Sequence, residues 1–164
     1  LNPQNQALDQ THHITSLKQT AELAQHVATT LLPPTLTTAT VIALHGQLGA
    51  GKTHFTRDLI AALGGNPRDV SSPTYTLLHL YQTPRFPVYH IDAYRTATHT
   101  PGHSEVADFG FDELLDQPAL ILIEWADRCR DLLPPTTLHI HITHPENPDT
   151  HPTHRTFHLT RTPA

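Results

Sequence analysis

The period of apolar and polar positions changes several times along the chain, and each change marks an element. After a polar, irregular N-terminal segment (residues 1–15), Leu17, Ala21, Ala24, Ala28 and Leu31 recur at helical spacing. Ser16 with Gln19 supplies a capping-box start and Pro33-Pro34 a stop, which predicts a helix between them. Ala39 to Leu44 is a β-branched apolar run, the pattern of a buried strand. Phe55, Leu59, Ile60 and Leu63 then form the stripe of a second helix, from Thr53 to Leu63, closed by Gly64-Gly65.

Further on, a Ser-Pro turn runs into a β-rich stretch ending at Tyr81, and a short connection with two prolines leads to Val88–Tyr94; together they predict a hairpin. Residues 96–110 are polar and contain Pro101 and Gly102, the composition of a mobile loop, and Phe111–Leu115 suggests one or two helical turns. Ala119–Trp125 is apolar almost to its end, as expected of a strand buried on both faces. Thr137–Thr143 and Arg155–Thr160 alternate with period two around a Pro/Asn-rich loop, the pattern of two antiparallel strands.

Between the first strand and the second helix lies Gly46-Gln47-Leu48-Gly49-Ala50-Gly51-Lys52-Thr53, which fits the phosphate-loop pattern G-x-x-x-x-G-K-[ST] at every specified position. Glycines let the backbone curl so that several N–H groups point inward, Lys52 neutralises the outer phosphates and Thr53 offers a hydroxyl to a metal. A strand before and a helix after are the context this motif requires, with the phosphates at the helix N-terminus. The expected architecture is α/β: one three-layer P-loop NTPase-like domain over residues 16–164 with a mixed, largely parallel central sheet.

Composition narrows the function. At 164 residues there is room for one core and little for a second substrate domain. Ten Lys+Arg against 15 Asp+Glu, a net charge of -5, argue against a broad basic surface for nucleic acid. Cys129 is the only cysteine, so no intrachain disulfide forms, and no apolar run is long enough to span a bilayer. The first residues show neither the basic start nor the apolar segment of a secretory signal, and the expected location is cytoplasmic.

A hydroxyl alone does not hold magnesium, so a carboxylate at the end of a buried strand is sought. Glu124, ending Leu120–Ile123, reads as a metal ligand or as a solvated carboxylate at the sheet rim. Asp92 reads as a turn carboxylate paired with Arg95, or as a group that orients the attacking water or supports the metal. Trp125, the only tryptophan, is packing or recognition beside the site, and Ser71 to Thr74 lie where a switch could approach the terminal phosphate. The 15 histidines are scattered, and His139 with His141 on one strand face does not declare a tetrahedral zinc set; solvated histidines are expected. Cys129 lacks a cysteine partner for redox chemistry.

Taken together, His45–Thr53, Ser72-Pro-Thr-Tyr-Thr-Leu77, His90-Ile-Asp-Ala-Tyr-Arg95, Phe109-Gly-Phe-Asp-Glu-Leu114 and Ile123-Glu-Trp125 resemble, in order and spacing, the TsaE family of small bacterial P-loop ATPases. These are needed to make threonylcarbamoyladenosine in certain transfer RNAs. The resemblance covers roughly residues 16–160. It implies that Gly46, Leu48, Gly49, Ala50, Gly51, Lys52, Thr53 and His54 bind the phosphates of ATP, that Thr53 and Glu124 coordinate Mg²⁺, and that Lys52 and Asp92 serve hydrolysis. Trp125 would lie beside the metal, Ser72, Pro73, Thr74 and Thr76 would act as a switch, and Leu17 and Arg155 match positions that contact the nucleotide. The implied partners are the TsaB and TsaD proteins, with tRNA reached only through that complex. Gln47 stands where the family often has an acidic residue and His54 where a second Thr is common; both spare the backbone cradle. Two other functions share the loop: a small-molecule kinase, and a nucleotide-sensing interaction protein without turnover.

Overall fold

Ser16 Oγ accepts from the Gln19 N–H at 3.3 Å and starts helix α1, Leu17–His26. Gln19 reaches back one residue further than a capping box does, accepting from the Thr15 N–H at 2.7 Å. The Thr29 hydroxyl donates to the Gln25 carbonyl at 2.8 Å, and the last turn, Val27–Leu31, widens to π geometry before Pro33. The structure is a computed structural model that describes residues 6–71, 77–95, 106, 110–145 and 151–162.

Seven strands form one sheet: β1 (Leu8–Ile14), β2 (Thr40–His45), β3 (Leu78–Tyr81), β4 (Val88–Asp92), β5 (Leu120–Glu124), β6 (Leu138–Thr143) and β7 (Arg155–Arg161). Their order is β1-β7-β6-β2-β5-β4-β3. β6, β2, β5 and β4 run parallel in the middle, while β7 and β1 on one side and β3 on the other are antiparallel. The sheet is thus mixed, with a parallel centre, as the expected fold class required. β2 and β5 are buried along their whole length, and their unbroken apolar runs follow from having both faces covered.

Helices α1 and α2 (Lys52–Ala62) cover one face, where Leu23, Val27, Phe55, Leu59 and Ile60 meet Ile42, Leu44, Leu120, Leu122 and Ile140. Ile121, Ile123, Val41 and Ala43 point to the other face and pack under the short helix α3 (Phe111–Leu115) and the 3₁₀ segment Ala126–Leu132. Each fully buried side chain of this size contributes about 1.5–3 kcal/mol. The β3–β4 connection is anchored to the segment that follows α1, where Arg85 donates to the Pro33 carbonyl at 2.8 Å and also to that of Ala28.

One expectation is overturned. Leu8–Ile14, read as part of an irregular N-terminal segment, is an edge strand paired antiparallel with β7 from Leu8↔Arg161 to Ile14↔Arg155, so the domain begins before residue 16. Its partly buried side is Leu8, Gln10, His12 and Ile14, which has too few apolar residues to announce a strand. Of the segment 96–110, expected to be a mobile loop, residues 96–105 and 107–109 lie outside the described residues, while Val106 is fully buried in the core on the α3 side of the sheet.

Candidate functional site

β2 ends at His45 and the chain turns through residues 46–51 into α2, so the loop sits at the carboxyl ends of the parallel strands, between β2 and the start of a helix. Gly46 has φ 146°, and a Cβ there would lie 2.5 Å from the Ile142 carbonyl oxygen, so only glycine fits. Gly49 and Gly51 hold φ 76° and 109°, also left-handed values that glycine tolerates. Gly51 is the N-cap of α2 and offers no side-chain cap, leaving the first N–H groups of the helix to a ligand.

A cleft of about 370 Å³ opens in front of this turn, lined by the loop residues Leu48, Gly49 and Gly51, by Lys52, Thr53 and His54, and by Asp92, Tyr94, Glu124 and Trp125. Lys52 Nζ donates to the carbonyls of Gly46 at 2.7 Å and Gln47 at 3.0 Å and lies 3.9 Å from the centre of the Trp125 ring. Burial lowers the Lys52 pKa from its ordinary value, opposed by the nearby charges of Glu124, Asp92 and Asp127. Trp125 holds φ 58° and ψ 37°, a left-handed conformation that costs a side chain of this size about 1–3 kcal/mol. Its ring rests against Tyr94, centroids 5.0 Å apart, and Arg128 lies over the other aromatic at 5.5 Å.

The Thr53 hydroxyl lies 2.8 Å from Glu124 Oε1 and 3.0 Å from Oε2. Glu124 is only 3% exposed, which sets aside the solvated-rim reading. Asp92 is its register partner on the neighbouring parallel strand, equally buried, with Oδ1 accepting from the Tyr94 N–H at 2.9 Å. A hydroxyl and a carboxylate at this separation form a hard oxygen donor set suited to Mg²⁺, and the glycine cradle suits polyphosphate.

Not every candidate converges on the cleft. Leu17 stands exposed at the start of α1 and is not among the cleft-lining residues. Arg155 reaches the loop from behind, donating through Nε to the Ala50 carbonyl at 2.8 Å, with its Nη1 on the Pro152 carbonyl at 2.9 Å. Ala50 is buried beneath the loop, and Gly46 lines a separate cleft with Ile142 and Thr143. His54 faces Asp58 at 3.4 Å, one turn along α2, and burial raises the Asp58 pKa against the opposing pull of His54 and Arg57. Ser72, Pro73, Thr74 and Thr76 lie outside the described residues, as does the side chain of Arg95.

Sequence reasoning overlooked His90, whose Nε2 lies 2.9 Å from Glu124 Oε1 in a fully buried position. The signal was available: His90 and Asp92 are two apart on one strand, hence on one face. The histidines are also more organised than expected. His45 is 4% exposed, with Nε2 3.0 Å from His139 Nδ1, its ring stacked on His141 at 4.2 Å and Asp127 3.2 Å away. Burial lowers the pKa values of His139 and His141, helped by the proximity of His45. Among the described residues no three His, Cys, Asp or Glu side chains are grouped so as to hold a metal ion between them. Cys129 is buried and its thiol is pushed up to about 11 by burial, the opposite of an activated nucleophile. No helix among the described residues is long and apolar enough to cross a membrane.

The sequence model of the family described as threonylcarbamoyl adenosine biosynthesis protein TsaE matches residues 14–155. The chain is 37% identical over 131 residues to the tRNA threonylcarbamoyladenosine biosynthesis protein TsaE of Rickettsia prowazekii, spanning 80% of this chain and 84% of that one. It is likewise 37% identical over 114 residues to the protein of the same name from Aquifex aeolicus, 69% of this chain and 74% of the relative. In fold it is similar to the crystal structure of YdiB from Bacillus subtilis, with a TM-score of 0.67 over 95% of this chain and 87% of that chain, at 24% identity.

Proposed function

The chain belongs to the TsaE family of threonylcarbamoyladenosine biosynthesis, and from that premise we propose that it is a Mg²⁺-dependent ATPase whose turnover drives the TsaB and TsaD proteins in modifying tRNA in the cytoplasm. The observation that carries this reading is the Thr53–Glu124 contact at 2.8 Å, set at the N-terminus of α2 within a cleft that also holds Lys52 and Asp92.

Thr53 and Glu124 would hold the metal, which when bound supplies positive charge against the phosphate oxygens. The uncapped N–H groups at the start of α2 would bind the phosphates, and Lys52 would exchange its two loop carbonyls for the outer phosphate oxygens, stabilising charge as it develops. Asp92, oriented by the Tyr94 N–H, would accept a hydrogen bond from the attacking water and align it with the γ-phosphorus. The new P–O bond forms as the bond to the bridging oxygen breaks, releasing phosphate and ADP. An acidic chain that acts through partner proteins needs no tRNA-binding surface of its own.

The test is Asp92→Asn. ATP affinity should stay within about threefold while phosphate release falls about 100-fold or more. Full phosphate release by the variant would remove Asp92 from the mechanism, and transfer of the phosphoryl group to a metabolite in place of water would favour the kinase.

A further inference from the structure

Glu124 is held by two donors of different kinds. Thr53 has one hydroxyl hydrogen, so its distances of 2.8 and 3.0 Å to the two carboxylate oxygens share a single proton. His90 Nε2, 2.9 Å from Oε1, is an independent second donor: a carboxylate oxygen can only accept, so this nitrogen carries the hydrogen. His90 is on β4, opposite Leu122 in register and diagonal to Glu124, on the face toward α2. Its ring is 0% exposed, wedged beside Tyr81 at 6.0 Å, and its Nδ1 has no hydrogen-bond partner among the described residues.

A fully buried histidine that commits its one paired nitrogen to a carboxylate is an expensive arrangement for packing alone, since an apolar residue would fill the space without a buried polar atom left over. We infer that His90 is a positioning residue for the metal site: its Nε2–H holds Oε1 of Glu124, fixes the carboxylate's orientation, and leaves Oε2 to meet Mg²⁺ together with the Thr53 oxygen. When the Thr53 hydroxyl is recruited by a metal, His90 remains as the donor that keeps Glu124 from swinging away. This inference rests on the proposal that Thr53 and Glu124 hold the metal, and outer donors of this kind change metal affinity by about 10- to 100-fold.

Glutamine and asparagine discriminate the two ring nitrogens, because the amide nitrogen of Gln overlays Nε2 of histidine and that of Asn overlays Nδ1. The experiment is calorimetric titration of ADP into the full chain over a series of Mg²⁺ concentrations, for wild type, His90→Gln, His90→Asn and Glu124→Gln, each with a thermal melt to confirm folding. His90→Asn should need about 10- to 100-fold more Mg²⁺ for half of the metal-dependent gain in ADP affinity, and His90→Gln less than about threefold more, with affinity in EDTA alike in both. If Asn and Gln have the same Mg²⁺ dependence as wild type while Glu124→Gln shifts it, His90 only packs, and the inference is overturned with the metal site intact. If Glu124→Gln leaves the dependence unchanged, the metal reading itself falls and the inference with it. A His90→Asn variant that needs no more Mg²⁺ than His90→Gln, with both shifted from wild type, also overturns the assignment of Nε2.

Discussion

Thr53→Val keeps the shape of the side chain and deletes one hydroxyl. In the protein without nucleotide or metal, that hydroxyl is one of two donors to a carboxylate that is 3% exposed, at 2.8 and 3.0 Å. A hydrogen bond to a charged group is worth about 1.5–3 kcal/mol, and losing it from a buried partner carries the desolvation of that partner as well. Two features hold the loss toward the middle of this range. Thr53 is only half-buried, so water can reach its side of the pair, and His90 still bonds Oε1, so Glu124 is not orphaned. The expected loss is about 2 kcal/mol, which for a domain of this size lowers Tm by about 4–8 °C. Urea unfolding at pH 7 in EDTA measures it, with Thr53→Ser as the control that restores the hydroxyl and recovers all but about 0.5 kcal/mol. If Thr53→Val unfolds with wild-type stability, the hydroxyl and carboxylate are not paired in the free protein and the preformed donor set is wrong.

Gly46→Ala combines a left-handed backbone position with a Cβ 2.5 Å from the Ile142 carbonyl oxygen, and should cost about 2–4 kcal/mol; an unchanged melting temperature would show that β6 can move aside. Cys129, with its thiol at about 11, should resist a thiol reagent at pH 8 in the folded protein and react rapidly in urea; fast labelling of the native chain would contradict its burial. The same group sets a pH trend. Its folded pKa lies above the ordinary value of 9.0, so its contribution to stability is complete below about pH 9 and falls as pH rises toward 11, by roughly 2–3 kcal/mol in all. A Cys129→Ser variant should flatten that alkaline decline.

The parallel centre of the fold could be read because its signals are local: a β-branched run, a glycine loop, an amphipathic helix and an apolar run ending in Glu124 follow one another in the order the sheet uses them. The edge strand β1 could not, because its place is set by the ladder to β7, some 150 residues away in the chain, and its inward side carries only Leu8 and Ile14 as apolar residues. For the site, the loop and both carboxylates were visible as motif and as strand ends. His90 could be placed on the same strand face as Asp92 from its spacing alone, but its partner could not be named until β4 was known to pair with β5, which sets Glu124 diagonally across from it. The clustering of His45, His139 and His141 likewise depends on β2 pairing with β6, which no local pattern reveals.

Steady-state phosphate release from ATP with Mg²⁺, measured for the chain alone, with TsaB, with TsaD and with both, bears on the proposed coupling without intermediaries. Release should be slow alone, rise about tenfold or more only when both proteins are present, and vanish with Glu124→Ala under every condition. A rate already high for the isolated chain and indifferent to the two proteins, or one that survives Glu124→Ala, would contradict a partner-driven cycle built on this carboxylate.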